Sequence, residues 1–266
     1  MNDFSTHSYG QSPECVADLR LPAGEPLGAV VVLHGGYWRA RYRRDLMEPL
    51  ADALVTLGLA TWNVEYRRVG CGGGVPQTLD DVAAAIDSLA TLLAERGHHG
   101  VPLVLLGHSA GGHLALTAAG RHTHRGDPSS ALAGVVSLGG LCDLEEAARL
   151  RLSNGAALDF VGGGPDALPD LYTEASPPHL LPLRVPYLLL HGLQDDSVPW
   201  QLSAQFHELA RAAGDTGELE LLEGVDHFEP IDPRTPSNRR AQSWVAAIAR
   251  DKAGSAGVTP PPPEPR

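Results

Sequence analysis

The chain has 266 residues, 43% hydrophobic and 20% charged, which fits one α/β domain of ordinary enzyme size and excludes wholesale disorder. With 20 Lys+Arg against 32 Asp+Glu the formal charge is -12, an acidic field that repels nucleic-acid phosphates and anionic lipid. A small-molecule substrate is the expected partner, with no nucleic acid and no membrane.

Met1 to Ser12 shows neither a basic n-region nor an apolar h-region, so this stretch reads as an N-terminal extension and not as a secretory leader. No apolar run reaches the roughly 18 residues of a membrane span. Cys15, Cys71 and Cys142 are odd in number and widely separated, which suits a reduced, cytoplasmic protein better than a disulfide scaffold. Cys142 reads as a small buried hydrophobe.

Along the chain, Glu14 to Leu21 predicts an antiparallel edge strand. Apolar runs bounded by turn residues follow at Ala29–Leu33, Leu59–Val64, Leu103–Leu106, Ala133–Leu138, Val185–Leu190 and Glu218–Leu222. Most are apolar on both alternating faces, as in parallel strands buried on two sides. Helical periodicity lies between them. Leu79, Val82, Ala83, Ile86, Leu89, Ala90 and Leu93 recur at three and four after a Thr78-x-x-Asp81 cap signal. Further helices are expected from about Pro199, with Leu202, Phe206, Leu209 and Ala213 on one stripe, and from about Pro236. This alternation predicts an open, mostly parallel sheet with helices on both faces and its site at the carboxyl ends of the strands. The main domain is expected over residues 13–252. Leu141 to Pro182 breaks the rhythm and reads as a small cap insertion over the site. Ala253 to Arg266, with its proline run, reads as a disordered tail.

The chemistry concentrates in three loops. After the strand Leu103–Leu106 comes Gly107-His108-Ser109-Ala110-Gly111-Gly112 and then an apolar helical stretch, the strand, G-x-S-x-G, helix order of a nucleophile elbow. The pentapeptide alone is a weak signal, and its placement between a strand and a helix is what strengthens it. A serine hydroxyl needs a base to take its proton and an acid to orient that base. In this architecture both follow the serine, acid first. That order leaves His207 and His227 for the base. His207 lies on an amphipathic helix stripe, whereas His227 sits in the loop after the last strand and is preferred. For the acid, the loop after Val185–Leu190 offers Asp195 and Asp196. One would orient His227 and the other would be solvated or would cap the next helix, and position alone does not choose.

These motifs resemble the α/β-hydrolase family over about Glu14 to Arg250. The family's acid loop, H-G-x-x-D-x-x-V-P, matches His191 to Pro199, and the resemblance thereby selects Asp195. His34-Gly35-Gly36-Tyr37-Trp38 resembles the oxyanion loop of arylformamidases (kynurenine formamidases) and is similar to the H-G-G-G loop of hormone-sensitive-lipase-like carboxylesterases. Tyr66-Arg67 resembles a dipeptide of those esterases. The resemblance implies backbone donors at Gly36, Tyr37 and Ala110 for an oxyanion, with Trp38 beside the substrate. Tyr37 departs from the third glycine of the esterase form, and Gly70 to Gly74 has no assigned role.

The remaining candidates read more plainly. His34 is expected to stiffen its loop and His108 to bond locally. His98-His99 and His122-x-His124 lack a third metal ligand, and His207-Glu208 lacks the second His of H-E-x-x-H. Arg39, Arg41, Arg43 and Arg44 read as a solvated helix start, or alternatively as an anchor for a substrate carboxylate. The sequence therefore predicts a cofactor-independent and metal-independent serine hydrolase acting on a small ester or activated amide through Ser109, His227 and Asp195. A non-catalytic binding protein on the same fold, a small peptidase and a homodimeric assembly stay open.

Overall fold

The computed structural model describes residues 4–125 and 132–256. Its centre is an eight-stranded sheet built from β1 (Ser5–Ser8), β2 (Val16–Arg20), β3 (Gly28–Leu33), β4 (Leu59–Val64), β5 (Leu103–His108), β6 (Leu132–Leu138), β7 (Tyr187–Gly192) and β8 (Gly217–Leu222). The order is β1-β2-β4-β3-β5-β6-β7-β8. β3 to β8 run parallel, β2 adds antiparallel to β4, and β1 adds antiparallel to β2.

Register explains why the runs are apolar throughout. Along β3, Ala29, Val31 and Leu33 face one core while Val30 and Val32 face the other, and Leu103/Leu105 alternate with Val104/Leu106 in the same way on β5. A period of two with both faces covered leaves few polar positions, the exceptions including Thr61 and Asn63 on β4 and Ser137 on β6. On the first face pack α2 (Gln77–Glu95), α3 (Ala110–Arg125) and α7 (Gln201–Ala212), through Leu79, Val82, Leu89, Leu114, Ala115, Leu202 and Phe206. On the second pack α1 (Glu48–Val55) and α8 (Pro236–Ala256), through Leu50, Leu54, Ala241, Val245 and Ala249. Among the described residues no helix is long and apolar enough to cross a membrane.

Three expectations change. The N-terminal extension contributes β1, so β2 is not the sheet edge. Thr78 and Asp81 do not form a capping box, because α2 already begins at Gln77. Instead the Thr78 hydroxyl donates to the Arg67 carbonyl, and Asp81 binds the Arg67 guanidinium at 2.6 Å and its backbone N–H at 2.9 Å. The expected tail is helical as far as Ala256, and 257–266 lies outside the described residues.

The insertion between β6 and β7 holds α4 (Leu144–Arg149), α5 (Leu152–Val161) and α6 (Pro169–Ala175). Asp143 caps α4, its carboxylate accepting from the Glu146 N–H at 3.0 Å. Arg151, Ser153 and Asn154 sit in left-handed backbone at the start of α5, giving that helix a kink.

Candidate active site

The chain leaves β3 toward β4 on one side of the sheet and later takes β5 on the other. The carboxyl ends of β3 and β5 thus flank a switch point of strand order, where open sheets of this type form a crevice. Ser109 stands there, between β5 and α3, with φ of 56°, a left-handed backbone that costs a non-glycine residue about 1 kcal/mol or more. Its flanks must be glycine for lack of space. A Cβ at Gly107 would lie 2.0 Å from the Gly111 carbonyl oxygen, and one at Gly111 would lie 2.1 Å from that of Leu33. The turn is therefore pressed against β3 and lifts the serine above the sheet edge.

His227, buried after β8, turns Nδ1 toward Asp195 Oδ2 at 2.7 Å. Asp195 is fixed before that contact is made. Its Oδ1 accepts from the Ser197 and Val198 N–H groups at 2.9 and 2.7 Å, and His191 Nε2 lies 3.2 Å from Oδ2. Burial alone would raise the Asp195 pKa, but the hydrogen bonds from His191 and His227 outweigh it and hold the carboxyl well below its usual range. Among the described residues Asp196 accepts only from the Ser197 hydroxyl, at 3.1 Å. The structure thus brings Asp195 to His227 and leaves Asp196 outside. His207 is elsewhere, its Nδ1 2.9 Å from the Tyr187 hydroxyl.

Ser109 and His227 line one pocket of about 80 Å³ together with Gly36, Tyr37, Tyr42, Leu46, His108, Ser197 and Phe228. Among the described residues no hydrogen bond joins the Ser109 hydroxyl to His227, and such contacts commonly tighten only around a substrate. His108 ties the elbow to the base, with Nε2 2.9 Å from the His227 carbonyl oxygen. Burial, and then the neighbouring His227, push its pKa down to about 3, so this ring is neutral and donates to that carbonyl.

The loop after β3 reaches the pocket through glycines. A Cβ at Gly35 would meet His108 Nδ1 at 2.9 Å and Ser109 Cβ at 3.0 Å, and Gly36 has φ of 111° beneath the Tyr42 ring. Gly36 and Tyr37 stand beside Ser109, and Ala110 opens α3, where backbone N–H groups have no acceptor within the helix. Below this loop His34 stacks on Tyr66 at 4.3 Å, and its Nε2 is 3.0 Å from Glu65 Oε1. Glu65 is buried and also pairs with Arg68, and Arg43 and Arg44 lie 3.4 and 3.8 Å from its Oε2.

Two expectations fail at this point. Trp38 is 1% exposed and does not line the pocket; it stacks on Phe160 of the insertion at 4.6 Å and meets His113 edge-on. So large an apolar ring at left-handed backbone turns inward, where it gains most from burial. The insertion does not roof this pocket either, and Tyr42, Leu46 and Phe228 form its apolar walls. The arginine cluster is also engaged: Arg39 binds the Ser153 carbonyl at 2.6 Å, Arg44 binds Asp18 at 2.8 Å, and Arg41 lies over the Tyr42 ring.

Sequence reasoning missed Glu65, Phe228 and the contact of His191 with Asp195. The i,i+4 spacing of His191 and Asp195 across the strand end was a readable signal. Glu65, directly after an apolar strand, was another.

An open, mostly parallel sheet with a strained serine turn after its central strand, an acid loop after β7 and a histidine loop after β8 is the α/β-hydrolase fold. The BD-FAE family profile matches residues 17–209, and the chain belongs to that family. It is 25% identical over 264 residues to a probable isoprenylcysteine alpha-carbonyl methylesterase ICME of Oryza sativa subsp. japonica, covering 92% of this chain and 63% of the relative. The chain thus spans less than two thirds of the length of that relative. Among solved structures, a truncated carbohydrate esterase from gut microbiota superposes with TM-score 0.79 at 19% identity, covering 93% of this chain and 98% of that one. Esterase B from Lactobacillus Rhamnosis superposes with TM-score 0.78 at 22% identity, covering 96% and 87%.

Proposed function

We propose that this chain is a serine carboxylic ester hydrolase that cleaves a small ester through an acyl-enzyme. The observation that carries the reading is the Asp195–His227 pair at 2.7 Å, sharing a pocket with a serine held in left-handed backbone. Ser109 Oγ attacks the ester carbonyl carbon while its proton passes to His227 Nε2. Asp195 holds the imidazole in the tautomer with Nδ1 protonated and stabilises the imidazolium that forms. The carbonyl oxygen gains negative charge against the N–H groups of Gly36, Tyr37 and Ala110. Collapse expels the alcohol, which takes the proton from His227, and a water then repeats the sequence on the acyl-serine.

The ester reading leads because the relatives reported above are named as esterases. The N-formyl arylamine reading rests on His34 to Trp38 alone, and Trp38 is committed to packing. A fluorophosphonate should label Ser109, which a binding protein on this fold would resist. Short p-nitrophenyl esters assayed beside an N-formyl arylamine separate the two substrate classes. Faster turnover of the formamide would make this an arylformamidase.

A further inference from the structure

Tyr37 and Ser197 form one part of the wall of the Ser109 pocket. There the Tyr37 hydroxyl donates to the Ser197 carbonyl, and burial followed by the Asp195 charge pushes its pKa up to about 12, so it stays a neutral donor. Leu46 and Phe228 form another part of that wall. Both also line a second depression of about 380 Å³, whose remaining walls are Pro49, Ile231, Asp232, Pro233 and Arg234. Phe228 is 53% exposed, a large ring left in solvent on the ridge between the two spaces. The charges on the rim neutralise each other, since Asp232 and Arg234 are paired at 2.7 Å, and the floor is apolar.

Resting on the ester reading above, we propose that this groove receives the alcohol half of the substrate and that this half is an unbranched or aryl apolar group. The direction follows from the chemistry. The leaving oxygen must take its proton from His227, so the alcohol begins at that ring. The next residue in the chain is Phe228, whose ring stands edge-on to His227 at 5.2 Å and separates it from the groove. The acyl half, held between the oxyanion donors and the Tyr37–Ser197 contact, has only the small pocket.

The test is a series of acetate esters from methyl to hexyl, run against a series of methyl esters from acetate to hexanoate. A methylene fully removed from water is worth about 0.8 kcal/mol, near fourfold, and a groove open on one side should keep about half of that free energy. The expected result is a kcat/KM that rises about twofold per methylene in the alcohol series and does not rise in the acyl series. Pro49→Asp places a carboxylate on the groove wall in the first turn of α1, where an acidic residue suits the helix terminus. It should flatten the alcohol series, lowering hexyl acetate about thirtyfold, five methylenes at twofold each, while methyl acetate stays near wild type. Phe228→Ala should weaken the length dependence without removing it. A flat alcohol series beside Ser109-dependent hydrolysis of methyl acetate would overturn the groove and leave the esterase reading standing. Equal loss on both esters in Pro49→Asp would also overturn it. Absence of hydrolysis of every ester would overturn both.

Discussion

At the scale of single residues, the two adjacent carboxylates of the acid loop make the sharpest contrast. Asp195 is built in by two backbone N–H groups and two histidines, while Asp196, among the described residues, holds only a neighbouring hydroxyl. Asp195→Asn should therefore lower kcat by about 10⁴-fold, since the amide favours the wrong imidazole tautomer, and Asp196→Asn should stay within about threefold of wild type. Steady-state kinetics at equal folded fraction checks the ranking, and a reversal would move the acid to Asp196. Ser109→Ala should fold normally and lose nearly all turnover. More than about a tenth of the wild-type kcat would remove Ser109 as the nucleophile.

At the scale of elements, the loop after β3 must approach the elbow without side chains. Gly35→Ala would force a Cβ against the His108 ring and Ser109 and push the proposed donors, the Gly36 and Tyr37 N–H groups, outward. We expect kcat to fall about 10²-fold, the worth of one oxyanion donor, with a melting temperature close to wild type. Unchanged kcat would show that this loop does not touch the reacting oxygen. Under the loop, Glu65→Gln leaves the buried His34 and Arg68 without their carboxylate and should cost about 3 kcal/mol or more in urea unfolding. What the sequence made legible follows the same division. Strands such as Ala29–Leu33 announce themselves because both faces are buried, and Ser109, Asp195 and His227 because their loops must come in a fixed order along the chain. The fate of Trp38 was not legible, because its partner Phe160 lies over a hundred residues away in an insertion with no periodicity to place it. Glu65 was hidden for a related reason: its four partners, His34 and three arginines, come from three separate stretches of chain that meet only once β3 and β4 pair.

At the scale of the whole molecule, buried histidines set the response to acid. Burial, and for His108 also its neighbour His227, lowers the pKa of His108 to about 3, and burial lowers that of His113 to about 4, against an ordinary value of 6.5. Both rings are protonated in the unfolded chain below about pH 6.5 but not in the folded one, so unfolding takes up protons. Stability is complete above that pH and is lost as pH falls toward 4, on the order of 1 kcal/mol per pH unit for each ring. Urea unfolding at pH 7.5 and pH 5 should show this, and His113→Gln, which can still donate to the Ala175 carbonyl, should have the shallower slope. Equal slopes would mean that His113 is not a source of the acid sensitivity.

The Trp38–Phe160 stack also bears on behaviour at an oil–water boundary. The insertion is held to the loop after β3 by that stack and by Arg39 on Ser153, and to the segment before α2 by the Val75 N–H on the Phe160 carbonyl at 2.9 Å. It acts as a splint and not as a flap: lifting it would pull Trp38 from the core and shift the loop beside Ser109. A hydrolase whose lid must open gains activity when its substrate forms droplets, whereas a splinted one has nothing to open. Hydrolysis of a sparingly soluble short-chain triglyceride should therefore follow one smooth saturation curve through the substrate's solubility limit, and a jump there would mean that the splint can swing.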